Sequence, residues 1–151
     1  MGVATTTDVP GVQYVQTLNY KVTDAAAGIA IFSAVAFNTT VGQVKQATTA
    51  TSGMIAGIAQ QAVTATEADT GEWYVEVQVH GVSRYVAGAD CSGTIGGFLC
   101  IDDAVGRMKP AGSTSQTLYM THGITLNDPD ADGDIGFMWL NLNVPYYPAV
   151  T

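Results

Sequence analysis

The stretch Trp73-Tyr74-Val75-Glu76-Val77-Gln78-Val79-His80 decides the fold class. Trp73, Val75, Val77 and Val79 fall on one side of an extended chain; Tyr74, Glu76, Gln78 and His80 fall on the other. Strand side chains alternate between faces, so this period of two predicts a half-buried antiparallel strand. Gly81 interrupts the pattern and Val82 to Val86 resumes it. Upstream, Leu18, Tyr20 and Val22 share a face opposite Asn19, Lys21 and Thr23. Ile29 to Phe37 is a continuous apolar run between Gly28 and Asn38, which predicts one buried strand. Met54 to Ala59 predicts another, with Gly57 marking a bulge or a close backbone approach. Further short strands are predicted at Gly96 to Ile101, Leu118 to Leu126 (Gly123 a bulge candidate) and Ile135 to Val144. Residues 62–70 leave room for one helical turn, and no segment carries an amphipathic helix of three turns. Short strands separated by turn residues predict an all-β fold. The expectation is a single compact barrel or sandwich of short antiparallel strands with an extended N-terminal arm. Residues 1–16 read as the arm and 17–151 as the β domain.

Composition narrows the function. Of 151 residues, 12% are charged, against an ordinary share of about 25%. Five basic residues face thirteen acids, for a net charge of −8. Phosphate neutralisation needs clustered Lys and Arg, so nucleic acid is not an expected partner. Nor is an anionic membrane surface. No apolar stretch approaches the roughly 20 residues a spanning helix needs. The N-terminus has no basic and then apolar segment of the secretory type. Thr, Ala, Gly and Val dominate, while ionisable donors are few, so an enzyme is not expected.

The most specific local motif is Asp128-Pro129-Asp130-Ala131-Asp132-Gly133-Asp134-Ile135. Asp128, Asp130, Asp132 and Asp134 fit the start of a calcium loop, with Gly at the sixth position and an apolar residue at the eighth. Its twelfth position is Trp139 instead of a bidentate Glu, and its flanks read as strands. The alternative is a solvated hairpin turn with Asp132-Gly133 as a type I′ signal. No other cofactor is expected. His80 and His122 have no acid or thiol at ligand spacing and read as strand or turn residues. Cys91 and Cys100 read as buried thiols or as one hairpin staple. No G-x-S-x-G nucleophile turn and no phosphate loop is present. Trp73 and Trp139 lie inside alternating strands, which predicts core packing. Val9, Pro10 and Tyr14 in the arm, with Tyr146 and Tyr147 between prolines at the C-terminus, are the candidate contacts with another chain.

Five segments carry a family resemblance. Ile55-Ala56-Gly57-Ile58-Ala59-Gln60 is followed by Val75-Glu76-Val77-Gln78-Val79-His80-Gly81-Val82 and Gly88-Ala89. Then come Gly97-Phe98-Leu99-Cys100-Ile101-Asp102 and Gly106-Arg107-Met108. In order and spacing, over roughly residues 25–125, they resemble the capsid decoration (cement) proteins of tailed bacteriophages. The resemblance implies a mostly β structural protein, a homotrimer on the outer capsid surface of the virion, made in the host cytoplasm. It implies a clamp across major capsid protein subunits, with no catalytic residues to carry over. The alternative is a carbohydrate- or surface-binding β module of a phage or cell appendage, using exposed aromatics.

Overall fold

The computed structural model describes residues 15–22, 28–70, 72–89, 91, 94–112 and 119–146. Ten strands account for about half of them: β1 Gln16–Val22, β2 Ala34–Phe37, β3 Gln43–Gln46, β4 Ile55–Ala59, β5 Tyr74–His80, β6 Val82–Val86, β7 Phe98–Ile101, β8 Met108–Pro110, β9 Tyr119–Thr125 and β10 Ile135–Tyr146. The chain is all-β, as the alternation predicts. Strands β1-β3-β2-β4-β5 close into a barrel, and β6-β10-β9-β7-β8 form a second sheet. β1 begins at Gln16, and residues 1–14, most of the segment read as an arm, lie outside the described residues.

The barrel interior is filled by alternate residues. Val22, Val35, Val44, Ala56, Ala59, Val75 and Val77 form one apolar cluster. A five-residue helix, α1 (Ala65–Asp69), adds Ala68 to it. A capping box starts that helix: Thr64 Oγ1 accepts from the Glu67 N–H, and the Glu67 carboxylate accepts from the Thr64 N–H at 2.8 Å. The backbone bond lowers the Glu67 pKa. A second cluster lies between barrel and sheet. Ala34, Ala36, Ile55 and Ile58 meet Tyr85, Leu99, Ile101, Met108, Met138 and Leu140 there. Each fully buried aliphatic side chain contributes about 1.5–3 kcal/mol.

β4 serves both clusters because its phase changes at Gly57. Ala34 pairs with Ile58, Val35 with Gly57 and Ala36 with Ile55, a register shift that sets Ala56 and Gly57 against one partner. The bulge turns Ile55 and Ile58 outward to the second sheet, and Ala56 and Ala59 inward. The bulge read from Gly57 is therefore present.

Two expectations need correction. Ile29 to Phe37 is not one strand. Ile31 and Phe32 form a turn, with Phe32 at φ 59, which breaks the pleat; only Ala34–Phe37 runs as a strand, and Ile29 makes an isolated bridge to Val63. The strands are also not all antiparallel. β1 meets β3 in parallel, Lys21 opposite Gln43 and Val22 opposite Val44, because the β2–β3 pair is inserted between β1 and β4 to close the barrel.

Asn143 joins the two sheets. β10 carries three residues, Asn141 to Asn143, where β9 carries only His122. Asn143 adopts φ 59, a left-handed conformation that Asn tolerates better than most residues. The Asn143 amide reaches β4, accepting from the Ile55 N–H at 3.1 Å and donating to the Ile55 carbonyl at 2.9 Å. Asn143→Ala is expected to lower stability by about 2–3 kcal/mol, since two backbone groups lose their partner and Ala strains at positive φ. Asn143→Gly removes the bonds without the strain. Urea midpoints of the two variants separate these contributions, and unchanged midpoints for both would reject the bridge as a stabilising contact.

Candidate functional site

The acidic loop spans the connection from β9 to β10. Its turn is Ala131 to Asp134, closed by the Asp134 N–H donating to the Ala131 carbonyl at 3.2 Å. Gly133 has φ 89, but Asp132 is not at positive φ, so the type I′ turn expected for Asp132-Gly133 is not formed. The longer connection lets Gly133 take the left-handed position alone.

The structure disperses the four carboxylates. Asp128 accepts from the Thr94 N–H at 3.2 Å, and Asp134 from the Ala131 N–H at 3.1 Å. Asp132 pairs with Arg107, which also pairs with Asp103. Asp130 is exposed. Among the described residues no three His, Cys, Asp or Glu side chains are grouped so that they could hold a metal. The Asp132–Arg107 salt bridge ties the loop to the β7–β8 turn. Burial pushes the Asp103 carboxyl up, but hydrogen bonds from the Arg107 side chain and the Val105 and Arg107 N–H groups outweigh it and hold its pKa low. Asp132 is exposed and Arg107 half-buried, so solvent screens their pair and its contribution is small.

The histidines are differently placed. His80 is exposed and sits edge-on to Trp139, with ring centroids 5.9 Å apart. His122 is fully buried; its Nδ1 accepts from the Asn143 N–H at 3.4 Å, and its Nε2 has no hydrogen-bond partner among the described residues. Burial pushes its pKa down to about 4. Cys91 and Cys100 are both buried thiols without a disulfide between them, and burial raises Cys100 to about 11.

The aromatic reading is corrected. Trp73 and Trp139 are each 44% exposed rather than packed in the core. Trp73 precedes the first residue of β5. On β10, Gly136, Met138 and Leu140 face the core, so Ile135, Phe137 and Trp139 must face outward. Gly136 holds this phase: a Cβ there would lie 2.4 Å from the buried Tyr85 ring. Burial is also the main reason the Tyr85 hydroxyl titrates well above its ordinary value. Leu126, whose N–H donates to the Phe137 carbonyl, extends the outward apolar stripe. Arg84 lies across it, its guanidinium 5.3 Å from the Phe32 ring centroid and 6.0 Å from that of Phe137.

Val9, Pro10, Tyr14 and Tyr147 lie outside the described residues. Tyr146 ends β10 opposite Tyr119. The sequence reading missed the stripe because Ile135 to Leu140 is apolar at both parities; the small Gly136 on one parity and the polar Asn141 on the other were the signals of which packs inward.

No protein-family model matches the chain. No curated protein matches it in sequence. Among solved structures, its fold is similar to that of the head fiber gp8.5 N base in bacteriophage phi29, with a TM-score of 0.56 and 12% identity. The likeness covers 88% of this chain and 100% of that one.

Proposed function

We propose that this chain is a structural virion protein, a homotrimer on the outer surface of a phage capsid that stabilises contacts between major capsid protein subunits. The observation that carries the reading is the fold shared, nearly end to end, with the base of a phage head fibre. The decoration-protein pattern spread from Ile55 to Met108 supports the same class from the sequence. The chemistry agrees: the charge is sparse, and large apolar side chains are among the exposed groups. Lattice proteins bind through repeated modest contacts, which avidity multiplies.

The test is co-sedimentation with purified shells of a cognate tailed phage, beside light scattering of the free protein. The expected result is a native mass of three chains, binding to mature shells, and shells that withstand more heat when decorated. Binding to isolated capsomers but not to shells would overturn the stabilising role. Binding to oligosaccharides with no affinity for shells would return the chain to a surface-recognition module.

A further inference from the structure

We infer that the open half of β1 receives residues 3–9 of a second copy of this chain as an added strand. The inference rests on the homotrimer proposed above and supplies the contact that builds it. β3 pairs with β1 only at Lys21 and Val22, whereas β5 pairs with it from Gln16 to Lys21. The Val22 N–H donates to the Trp73 carbonyl at 2.9 Å, so by alternation Tyr20 and Leu18 also turn their backbone groups to β5. Lys21, Asn19 and Thr17 turn theirs the other way. The Lys21 N–H reaches the Gly42 carbonyl at 3.2 Å, but Asn19 and Thr17 have no strand beside them among the described residues. The other sheet edges are guarded. On β8, Pro110 has no N–H to give, and the Met108 carbonyl accepts from the Gly88 N–H at 2.7 Å. On β6, the Val86 N–H donates to the Phe32 carbonyl at 3.1 Å, and the Val82 carbonyl accepts from the Gln78 amide at 2.7 Å. Gln16 to Tyr20, in contrast, carries neither charge nor proline. Apolar side chains flank the same edge: Leu18 is 42% exposed, and Phe37, whose ring Tyr20 meets edge-on, is 41% exposed. A strand laid here takes the free N–H and carbonyl groups of Thr17 and Asn19 and covers those side chains.

Length and sequence point to the occupant. Residues 1–14 lie outside the described residues and lead straight into Val15, beside the open edge. At about 3.3 Å per residue, residues 10–14 reach roughly 17 Å, enough to cross to an adjoining copy. Val3, Thr5, Thr7 and Val9 alternate along the segment and are β-branched, a composition that suits a strand. Asp8 is the one charged side chain between Val3 and Val9, so the segment meets the uncharged edge with little of the repulsion that a net charge of −8 creates elsewhere. The two shortest hairpin loops, which would fold the segment back on its own β1, are closed to Pro10-Gly11. Proline holds φ at about −65°, whereas the first position of a type I′ or II′ turn needs a positive φ. A three-residue loop opened by Pro10 would place Val12 in the left-handed region, which β-branched residues avoid. The edge of another copy is free of both constraints. Donor segment and acceptor edge are different surfaces, so the exchange runs head to tail and closes as a ring.

The test separates edge from segment. Asn19→Pro removes an N–H that makes no bond to β5, so it closes the edge and leaves the β1–β5 ladder intact. Thr6→Pro combined with Thr7→Pro breaks the donor segment whichever way its backbone groups point. Light scattering is expected to show three chains for the wild type and one chain for each variant, with far-ultraviolet circular dichroism unchanged. An equal mixture of the two variants is expected to show two chains, because one supplies an intact segment and the other an intact edge. Either variant keeping the mass of three chains would overturn the exchange and leave the homotrimer standing. A mixture that stays at one chain would overturn it as well, and so separates a blocked exchange from a misfolded variant. A wild-type monomer at every soluble concentration would reject homotrimer and exchange together. Loss and rescue as expected, in a protein that never binds shells, would support the exchange and reject the capsid role instead.

Discussion

Gly57→Ala is expected to lower the melting temperature by about 10 °C or more, an effect on the order of 4 kcal/mol. Two causes combine. Gly57 has φ 155, inside the range that L side chains rarely adopt. A Cβ at this position would also lie 2.2 Å from the Gln78 carbonyl oxygen and 2.6 Å from Val77 Cγ1. The first of these is backbone of β5, which pairs with β4 on one side and β1 on the other and cannot retreat without opening the barrel. The bulge is also what directs Ile55 and Ile58 to one cluster and Ala56 and Ala59 to the other. Straightening β4 to relieve the clash would put Ile55 and Ile58 on opposite faces, so relaxation has its own cost. Gly96→Ala is the control. Gly96 has φ 82 with open space around it, so only the conformational cost of about 1–2 kcal/mol is expected there. Thermal unfolding of the two variants measures the difference. If Gly57→Ala melts no lower than Gly96→Ala, crowding at the bulge is not what the position requires.

Gly57 also shows which parts of the fold were legible in the sequence. A glycine inside an apolar strand pattern has few explanations, and the bulge was one of them. β5 was legible because its polar and apolar residues alternate cleanly; Val75 and Val77 are buried while Tyr74 and Glu76 are exposed. Gln78 departs from this, buried through donor bonds from its amide to the carbonyls of His80 and Val82. β10 was legible as a strand but not as an orientation, since Phe137 and Trp139 are as apolar as Met138 and Leu140. Hydrophobicity alone then favours placing the tryptophan inside, and the opposite is found. The parallel β1–β3 pair depends on contacts between distant segments, which local alternation does not encode. The four aspartates were legible as an acidic turn, but their hydrogen-bond partners, Arg107 and the Thr94 N–H among them, come from other loops. Asn143 gave no signal: its role depends on a bulge opposite His122 and on the barrel strand it reaches.

His122 sets the second large effect, a loss of stability in mild acid. Its imidazole is fully buried, and burial pushes its pKa down to about 4 from an ordinary 6.5. A group depressed on folding binds its proton more readily in the unfolded chain. Its contribution is intact above pH 6.5 and is lost progressively as the pH falls to about 4. The full loss is on the order of 3 kcal/mol, since each tenfold change in proton affinity is worth about 1.4 kcal/mol. The depressed carboxyls of Asp103 and Glu67 act in the same direction but mainly below their ordinary values, 3.8 and 4.5, so the window from pH 6.5 to 4.5 belongs to His122. Urea unfolding of the wild type is expected to show a midpoint that falls across this window. His122→Gln keeps an acceptor for the Asn143 N–H and cannot titrate, so its midpoint is expected to stay nearly flat there. The comparison of slopes matters more than the absolute stability of the variant, which also reflects a changed fit in the bulge. A wild-type profile already flat between these pH values, or an equal fall in His122→Gln, would show that the imidazole does not unfold the sheet by taking up a proton. With the expected result, protonation destabilises the β9–β10 junction, where Asn143 also holds the second sheet to the barrel.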